Sequence, residues 1–569
     1  MTPAFAQAEQ SPAAPAPKGT PKDAIPFGDY LAGKFAESSG DSQKSIKFLQ
    51  ESLARDPNNQ DVLSNLYREY IAEGNITQAV ATAQKLGGNK TLDDGNDFSP
   101  NLLLCTEAVK RGDFAAAEKF LQSVPKTGFN TLLVPLMEAW LKLGNKEIKA
   151  ALNAKDIMHN DKMMLPDIYL NAAYINEIAG FGPEALQQYE TAANDPNVVS
   201  LRALEALANY YARHDKKDKY KQLVDSYTAV HGETILAEDA LGSQPPKPLV
   251  ANASEGLAEA FYTIAGLFHG VRAPTDEITT LKIALFLRPD FAAAQFLLAS
   301  TYELERDYKH AIETYRSIAK DSPYGIQAQI MAAYDKSELG DKPGAVSDLD
   351  AIAQQHPTMV SALLAKGDIL RIQGQYAQAI ESYDAALVRL KTPQKPNWII
   401  FFSRGICYDK LGQFEKTEQD MQSALKLSPE DPDVLNYLGY SWLTKHRNIA
   451  QAKKMISEAY DARPEDAQII DSMGFALYSE GDFKDAQEYF EQALERIPDD
   501  PTVNEHLGDT YWQLGRKTEA GYQWRRALDY KPDEQTRNAL MEKLAHGLAP
   551  IAPISKADAK KTPKSLEVQ

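Results

Sequence analysis

Cysteine is almost missing from this chain. Only Cys105 and Cys407 occur among 569 residues, and neither has a neighbour at metal-ligand or redox spacing. Both sit in helical patterns, LLLCTEAV and RGICYDKL, so a buried structural thiol is expected at each. Positive charge is also short: 61 Lys and Arg face 79 Asp and Glu, leaving a formal charge of −18. Such an excess opposes the counterion release that holds proteins on phosphate backbones, so no nucleic-acid partner is expected. Long apolar runs are absent as well. No stretch approaches the ~18–20 residues that a bilayer-spanning helix needs, and no transmembrane segment is expected.

Catalytic signatures are missing too. HExxH, GxxxxGK[ST], GxSxG and paired CxxC do not occur, and these are the patterns that place a metal, a phosphate cradle or an activated nucleophile. The nine histidines are scattered, and His269, His310 and His506 read as lone, satisfied helix residues. Glu505 and Asp509, at i and i+4, could share a metal or a proton. Nothing else in the sequence converges on them, so a solvated acidic face is the expectation. No catalytic residue, metal or cofactor is expected, and the chain reads as a non-enzyme.

With 43% hydrophobic and 25% charged residues the body has an ordinary globular composition, and what fills it is a repeat. Gly405, Gly439, Gly474 and Gly508 recur at steps of 34 or 35 residues. Pro429, Pro464, Pro498 and Pro532 keep the same step, as do Ala424, Ala459, Ala493 and Ala527. Three residue types in one register, in segments such as DSMGFALYSEGDFKDAQEYFEQALERIPDD (471–500), make the 34-residue helix-turn-helix pattern of tetratricopeptide repeats. Gly474 is expected to let the partner helix approach, with Ala486 as the facing small residue and Phe490 filling the space between helices. Gly481-Asp482 turns the chain and Pro498 stops the second helix. One hairpin has too little core to stand alone, and stacking covers each apolar face with the next repeat. The expected fold is all-α, an α-solenoid wound as a right-handed superhelix of stacked hairpins.

Walking the register outward gives the organisation. Residues 1–25 are a Pro/Ala tether with too little apolar surface to fold. Within it Ala4-Phe5-Ala6 has the small-x-small form that signal peptidase cuts after, without the basic and apolar regions that precede it. The triplet reads either as the remnant of an export signal or as chance in an Ala-rich stretch. Residues 26–230 form a degenerate N-terminal block of roughly six repeats. Residues 231–257 form a linker whose PPKP core breaks the helical period. Residues 258–533 hold eight regular repeats, 534–547 a capping helix with Leu540, Met541 and Leu544 on one face, and 548–569 a disordered tail.

In such an array the first helices of the repeats line an extended groove suited to a peptide or a partner's helix. Their residues not used in packing read Phe402, Ile406, Asn436, Tyr440, Asp471, Phe475, Tyr478, Glu505, Asp509 and Trp512. The set is aromatic and acidic, with Asn436 alone resembling a carboxylate clamp and basic residues missing. Tyr440, Phe475, Tyr478 and Trp512 are the candidate anchors, and the acids favour basic partners.

The runs LNYLGYSWL (435–443), DSMGFALY (471–478), NEHLGDTYWQLGR (504–516) and QWRRAL (523–528) resemble the C-terminal repeats of large proteobacterial tetratricopeptide proteins of the cell envelope. AEAFYTIAGLF (258–268), FLRPDFAAAQFLLA (286–299) and DYLAGKFAESSGD (29–41) extend the likeness over most of the chain. Members include lipoprotein scaffolds that bind a carboxy-terminal processing protease and help present substrates that trim the cell wall. The resemblance implies a protein-binding adaptor docking a protease or another cell-wall enzyme, with self-association open. No cysteine near the start can receive a lipid, so a soluble periplasmic form is expected, with a cytoplasmic one as the alternative. A competing reading is a structural or export component of an envelope or polysaccharide secretion assembly. The lack of alternating barrel strands favours the adaptor over it.

Overall fold

Six of the hairpins close by putting a side chain of the second helix against a glycine of the first. A Cβ on Gly474 would stand 2.7 Å from the Phe490 ring, sixteen residues on in the second helix, and on Gly508 it would stand 2.5 Å from the Trp524 ring. Phe490 and Trp524 are among the most deeply buried side chains, with Ala486 and Ala493 beside Phe490 fully covered. The expected role of Gly474 therefore holds, and its specific partner is the aromatic of the second helix. Between the helices Gly481 takes a left-handed φ of 85°, which the turn requires and a side chain resists. The next first helix starts on an aspartate: Asp466 and Asp500 each accept two backbone N–H groups, satisfying donors the helix leaves open.

The computed structural model describes residues 27–87, 98–157, 166–194, 200–233, 246–390 and 392–549. The expected tether at 1–25, the stretch 234–245 of the expected linker and residues 550–569 of the expected tail lie outside them. Among the described residues there are 29 α-helices and no strand. The N-terminal block holds α1 (Phe27–Ser38), α2 (Ser42–Arg55), α3 (Gln60–Ala72), α4 (Ile76–Leu86), α5 (Pro100–Lys110) and α6 (Phe114–Leu121). It continues with α7 (Asn130–Gly144), α8 (Ile148–Ile157), α9 (Pro166–Ile178), α10 (Gly182–Ala192), α11 (Leu201–Arg213) and α12 (Lys217–His231). These are twelve helices among the described residues.

The regular block opens with α13 (Ala253–Val271), α14 (Pro274–Leu287), α15 (Ala292–Leu304), α16 (Tyr308–Ser317), α17 (Gly325–Glu338) and α18 (Lys342–Gln355). It goes on through α19 (Ser361–Ile372), α20 (Tyr376–Arg389), α21 (Trp398–Lys410), α22 (Phe414–Leu427) and α23 (Pro432–Thr444). Then come α24 (Ile449–Ala462), α25 (Ala467–Glu480), α26 (Phe483–Arg496), α27 (Pro501–Gln513) and α28 (Lys517–Asp529), and α29 (Glu534–His546) caps the series. Sixteen helices, α13–α28, thus precede α29. Both cysteines are buried and free, and burial pushes the Cys105 thiol up to about 12 and Cys407 up to about 11.

The chain divides into two compact units, one within Met1–Tyr220 and Leu241–Ala328, the other within Lys221–Ala240 and Gln329–Gln569. That differs from a break at residues 231–257. The helix α13 already begins at Ala253, and α13 and α14 join the first unit because they pack mainly on its odd-numbered helices: α13 on α5, α7 and α9, and α14 on α3 and α5 with a smaller contact to α4. The face that a solenoid offers to partners is, in this unit, covered by the chain itself. Between Gly256 and Ala265 α13 is buried on nearly every side, from Leu257 and Phe261 to Glu259 and Thr263, the pattern of a helix enclosed by protein, and its end at His269–Val271 is exposed.

Several polar groups inside that contact are paired. The Trp140 indole N–H donates to Asn171 Oδ1 at 2.9 Å, and Asn171 Nδ2 donates to Thr263 Oγ1 at 2.9 Å. Arg202 of α11 meets the Glu259 carboxylate through both Nε and Nη2, donates to Glu205 at 2.7 Å, and shares Glu259 with Arg288 at 3.4 Å. Burial opposes charge on Arg202, and the Glu259 carboxylate overrides it, so the guanidinium pKa lies well above its ordinary value. At the helix ends, Lys282 of α14 donates to the Ala72 carbonyl closing α3, and Lys110 closing α5 donates to the Phe286 carbonyl of α14, both at 2.7 Å. Cations thus sit at the negative ends of helix dipoles.

Candidate partner-binding site

The second unit places the ten expected residues on successive odd helices. Phe402 and Ile406 stand on α21, Asn436 and Tyr440 on α23, Asp471, Phe475 and Tyr478 on α25, and Glu505, Asp509 and Trp512 on α27. Spacing by one repeat brings residues of neighbouring first helices side by side, and three separate groupings result.

On α21, Phe402 packs on Trp398 at 5.7 Å and edge-on to Tyr437 at 5.8 Å, and with Ile406 it flanks a core holding Met421, Leu438 and Trp442. These two are half-buried packing residues first. Asn436 keeps its side-chain oxygen buried without a hydrogen-bond partner among the described residues.

The central grouping is aromatic. Tyr440 and Phe475 lie 5.0 Å apart between ring centres, and Tyr478 stacks at 6.4 Å from Phe475. All three side chains are partly exposed. Beneath them is a residue the sequence reading set aside. His506 lies 5.1 Å from Phe475 and 5.4 Å from Phe490, and its Nδ1 meets Asp471 Oδ1 at 2.9 Å. Burial favours the neutral ring, but the Asp471 carboxylate, with Asp509 and Glu505 near by, raises the imidazole pKa above 6.5. Its spacing of 35 residues from Asp471, one repeat on, is the signal that could have paired them.

A folded pKa above the unfolded one means that the native state binds the proton more tightly. The stability this contributes is fully present below pH 6.5 and is lost as pH rises through the folded value. Asp471→Asn removes the anion, so it is expected to cost roughly 1.5–3 kcal/mol below pH 6.5 and less above it, flattening the pH dependence of urea midpoints. An unchanged pH profile in this variant would reject the assignment.

The third grouping corrects the expectation that Glu505 and Asp509 form a solvated acidic face with no cation near. Lys543 of α29 reaches between them, its ammonium 2.6 Å from Glu505 Oε1 and 2.6 Å and 2.8 Å from the Asp509 oxygens. Trp524 donates to Asp509 at 2.8 Å. Burial raises the Asp509 pKa while Lys543 pulls it back. The basic residue was invisible to the register because α29 lies outside the repeats. Trp512 is likewise covered: its Nε1 donates to the Leu548 carbonyl at 2.8 Å, and Gln513 Nε2 donates to the Ala549 carbonyl at 3.1 Å. Leu548 and Ala549, expected to open a disordered tail, are in place against α27.

Among the described residues no group of three or more His, Cys, Asp or Glu side chains could hold a metal, and no helix is long and apolar enough to cross a membrane.

Comparison with known proteins bears on these same repeats. A tetratricopeptide-repeat family model matches residues 278–326, 330–396 and 473–534, and another matches 400–431. A TPR repeat-containing protein of Pseudomonas aeruginosa is 27% identical over 198 residues, which is 35% of this chain and 33% of that protein. The general transcriptional corepressor ssn6 of Schizosaccharomyces pombe is 28% identical over 127 residues, 22% of this chain and 11% of that one. The chain thus spans a third or less of the length of these curated relatives. Among solved structures, the Cut9–Hcn1 heterotetramer of the APC/C aligns over 92% of this chain and 97% of its own at 14% identity and a TM-score of 0.39. Yeast Tom70 aligns over 93% and 96% at 15% identity and a TM-score of 0.33. The sequence matches, together with the glycine-to-aromatic hairpins, show tetratricopeptide repeats within residues 278–534 of this chain.

Proposed function

We propose that this chain is a non-enzymatic scaffold that captures a protein partner on the odd-helix face of its second unit. The observation that carries the reading is the partly exposed cluster of Tyr440, Phe475 and Tyr478 over the Asp471–His506 pair. Aromatic rings give large contact area at small entropic cost, and buried pairing beneath them holds the platform rigid. The first unit covers its equivalent face with α13, which leaves the second as the place for a partner. The formal charge of −18 steers basic partners toward it. On the likeness to envelope scaffolds, the partner is a carboxy-terminal processing protease or another cell-wall enzyme, met in the periplasm.

A photo-crosslinking residue at position 478, in the cells that make the protein, tests this. One envelope enzyme should be trapped there, and Tyr440→Ala with Phe475→Ala should abolish trapping, because anchors of this kind cost ~2 kcal/mol each when truncated. Trapping that survives both substitutions would reject the site. Trapping of cytoplasmic proteins alone would reject the envelope assignment.

A further inference from the structure

Beyond the aromatic cluster, the end of the same face already holds a peptide, and that peptide is the chain's own. We infer that the α27 end of the second unit is a binding site for a lysine-bearing helix end of a partner protein and the non-helical residues that follow it, and that residues 543–549 occupy it in cis. The inference rests on the proposed binding face and adds the ligand's chemistry and the competition for it.

Three features make this a built site. The ammonium of Lys543 is taken by two carboxylates, which satisfy all three of its N–H donors. Four residues later the helix stops and the chain is read by its backbone. Side-chain donors of Trp512 and Gln513 take the consecutive carbonyls of Leu548 and Ala549, a mode indifferent to side chains and therefore open to another peptide. Between these contacts Gly547 adopts φ 73° and ψ −167°, a region in practice reserved for glycine. A Cβ there would fall inside the Trp512 ring. The ligand is thus a lysine followed at the fourth position by a glycine and then an apolar stretch. A tethered occupant acts at an effective concentration near the millimolar range, so a partner segment of like chemistry competes against it.

Release variants of the full chain test the inference. Gly547→Ala puts a methyl group where the Trp512 ring lies, and Lys543→Glu sets a third carboxylate against Glu505 and Asp509. The probe is a fluorescein-labelled peptide of residues 538–549, NALMEKLAHGLA, with binding read by anisotropy and helicity checked by circular dichroism. Both variants should bind it about tenfold or more tightly than the parent chain, and adding Trp512→Ala should remove the gain. Should Gly547→Ala lose helicity, Lys543→Glu carries the test by itself. Equal binding by parent and variants, or binding by none, would overturn the inference. So would a concentration-dependent dimer of the variants that excludes the peptide, since the occupant would then be a second copy. The outcome is separable from the crosslinking result: trapping at position 478 with no gain here sinks only the cis-ligand claim, and a gain here with trapping indifferent to Tyr440 and Phe475 sinks only the aromatic platform.

Discussion

Arg202→Met is expected to destabilise the first unit by about 3–5 kcal/mol, the cost of leaving a buried charge without its partner. Arg202 and Glu259 are each 3% exposed at the side chain, so water cannot replace the lost guanidinium. Arg288 is the nearest substitute, but it holds Glu259 at 3.4 Å and is already engaged over the Phe291 ring. The loss therefore falls on α13, whose seat on α5, α7 and α9 depends on Glu259 being neutralised. Hydrogen exchange of the α13 amides should accelerate ahead of those in the second unit. Replacing both partners, Arg202→Met with Glu259→Met, should recover most of the stability, because two apolar side chains carry no desolvation penalty. A double variant as unstable as the single one would mean that shape, and not charge, seats the helix. Arg202→Lys should behave like a partial loss, since an ammonium cannot reproduce the two-pronged contact.

How far this arrangement could be read from the amino-acid order depends on which residues share the repeat. Gly474, Ala486, Phe490 and Ala493 lie within one period, so the hairpin, its turn at Gly481 and the number of helices follow from spacing alone. The odd-helix placement of Tyr440, Phe475 and Tyr478 follows for the same reason. Arg202 and Glu259 are 57 residues apart across a break in the period, and no register relates them. A clue was present in GLAEAFYTIAGLF (256–268), where Glu259 and Thr263 are the only strongly polar residues, so that it describes an enclosed helix better than a repeat's first helix. Lys543 and Gly547 escaped in the same way. Both act on α27 from outside the array, and only the three-dimensional return of α29 brings an ammonium to Glu505 and Asp509. His506 was within reach, since Asp471 stands one repeat before it.

The second large effect concerns the hairpin itself. Phe490→Ala should destabilise the second unit by about 3–5 kcal/mol, the range for emptying an aromatic from a packed core. Gly474→Ala should cost about 1–3 kcal/mol, because its new methyl would meet the Phe490 ring at 2.7 Å and force a rotamer or backbone shift. Taken as independent, the two would sum. They are one contact, however, and alanine at 474 enters space that the ring has left. The double variant is therefore expected to lose less than the sum by at least about 0.5 kcal/mol, the coupling that touching residues show. Urea unfolding of the four chains closes the cycle. If the two losses add, the glycine is spared for a reason other than the ring facing it, and the same doubt would extend to Gly508 and Trp524, which repeat the geometry at 2.5 Å. If they couple, the recurring glycine of the regular repeats is explained by the ring or long side chain that the second helix sends against it, as at Gly367 and Tyr383.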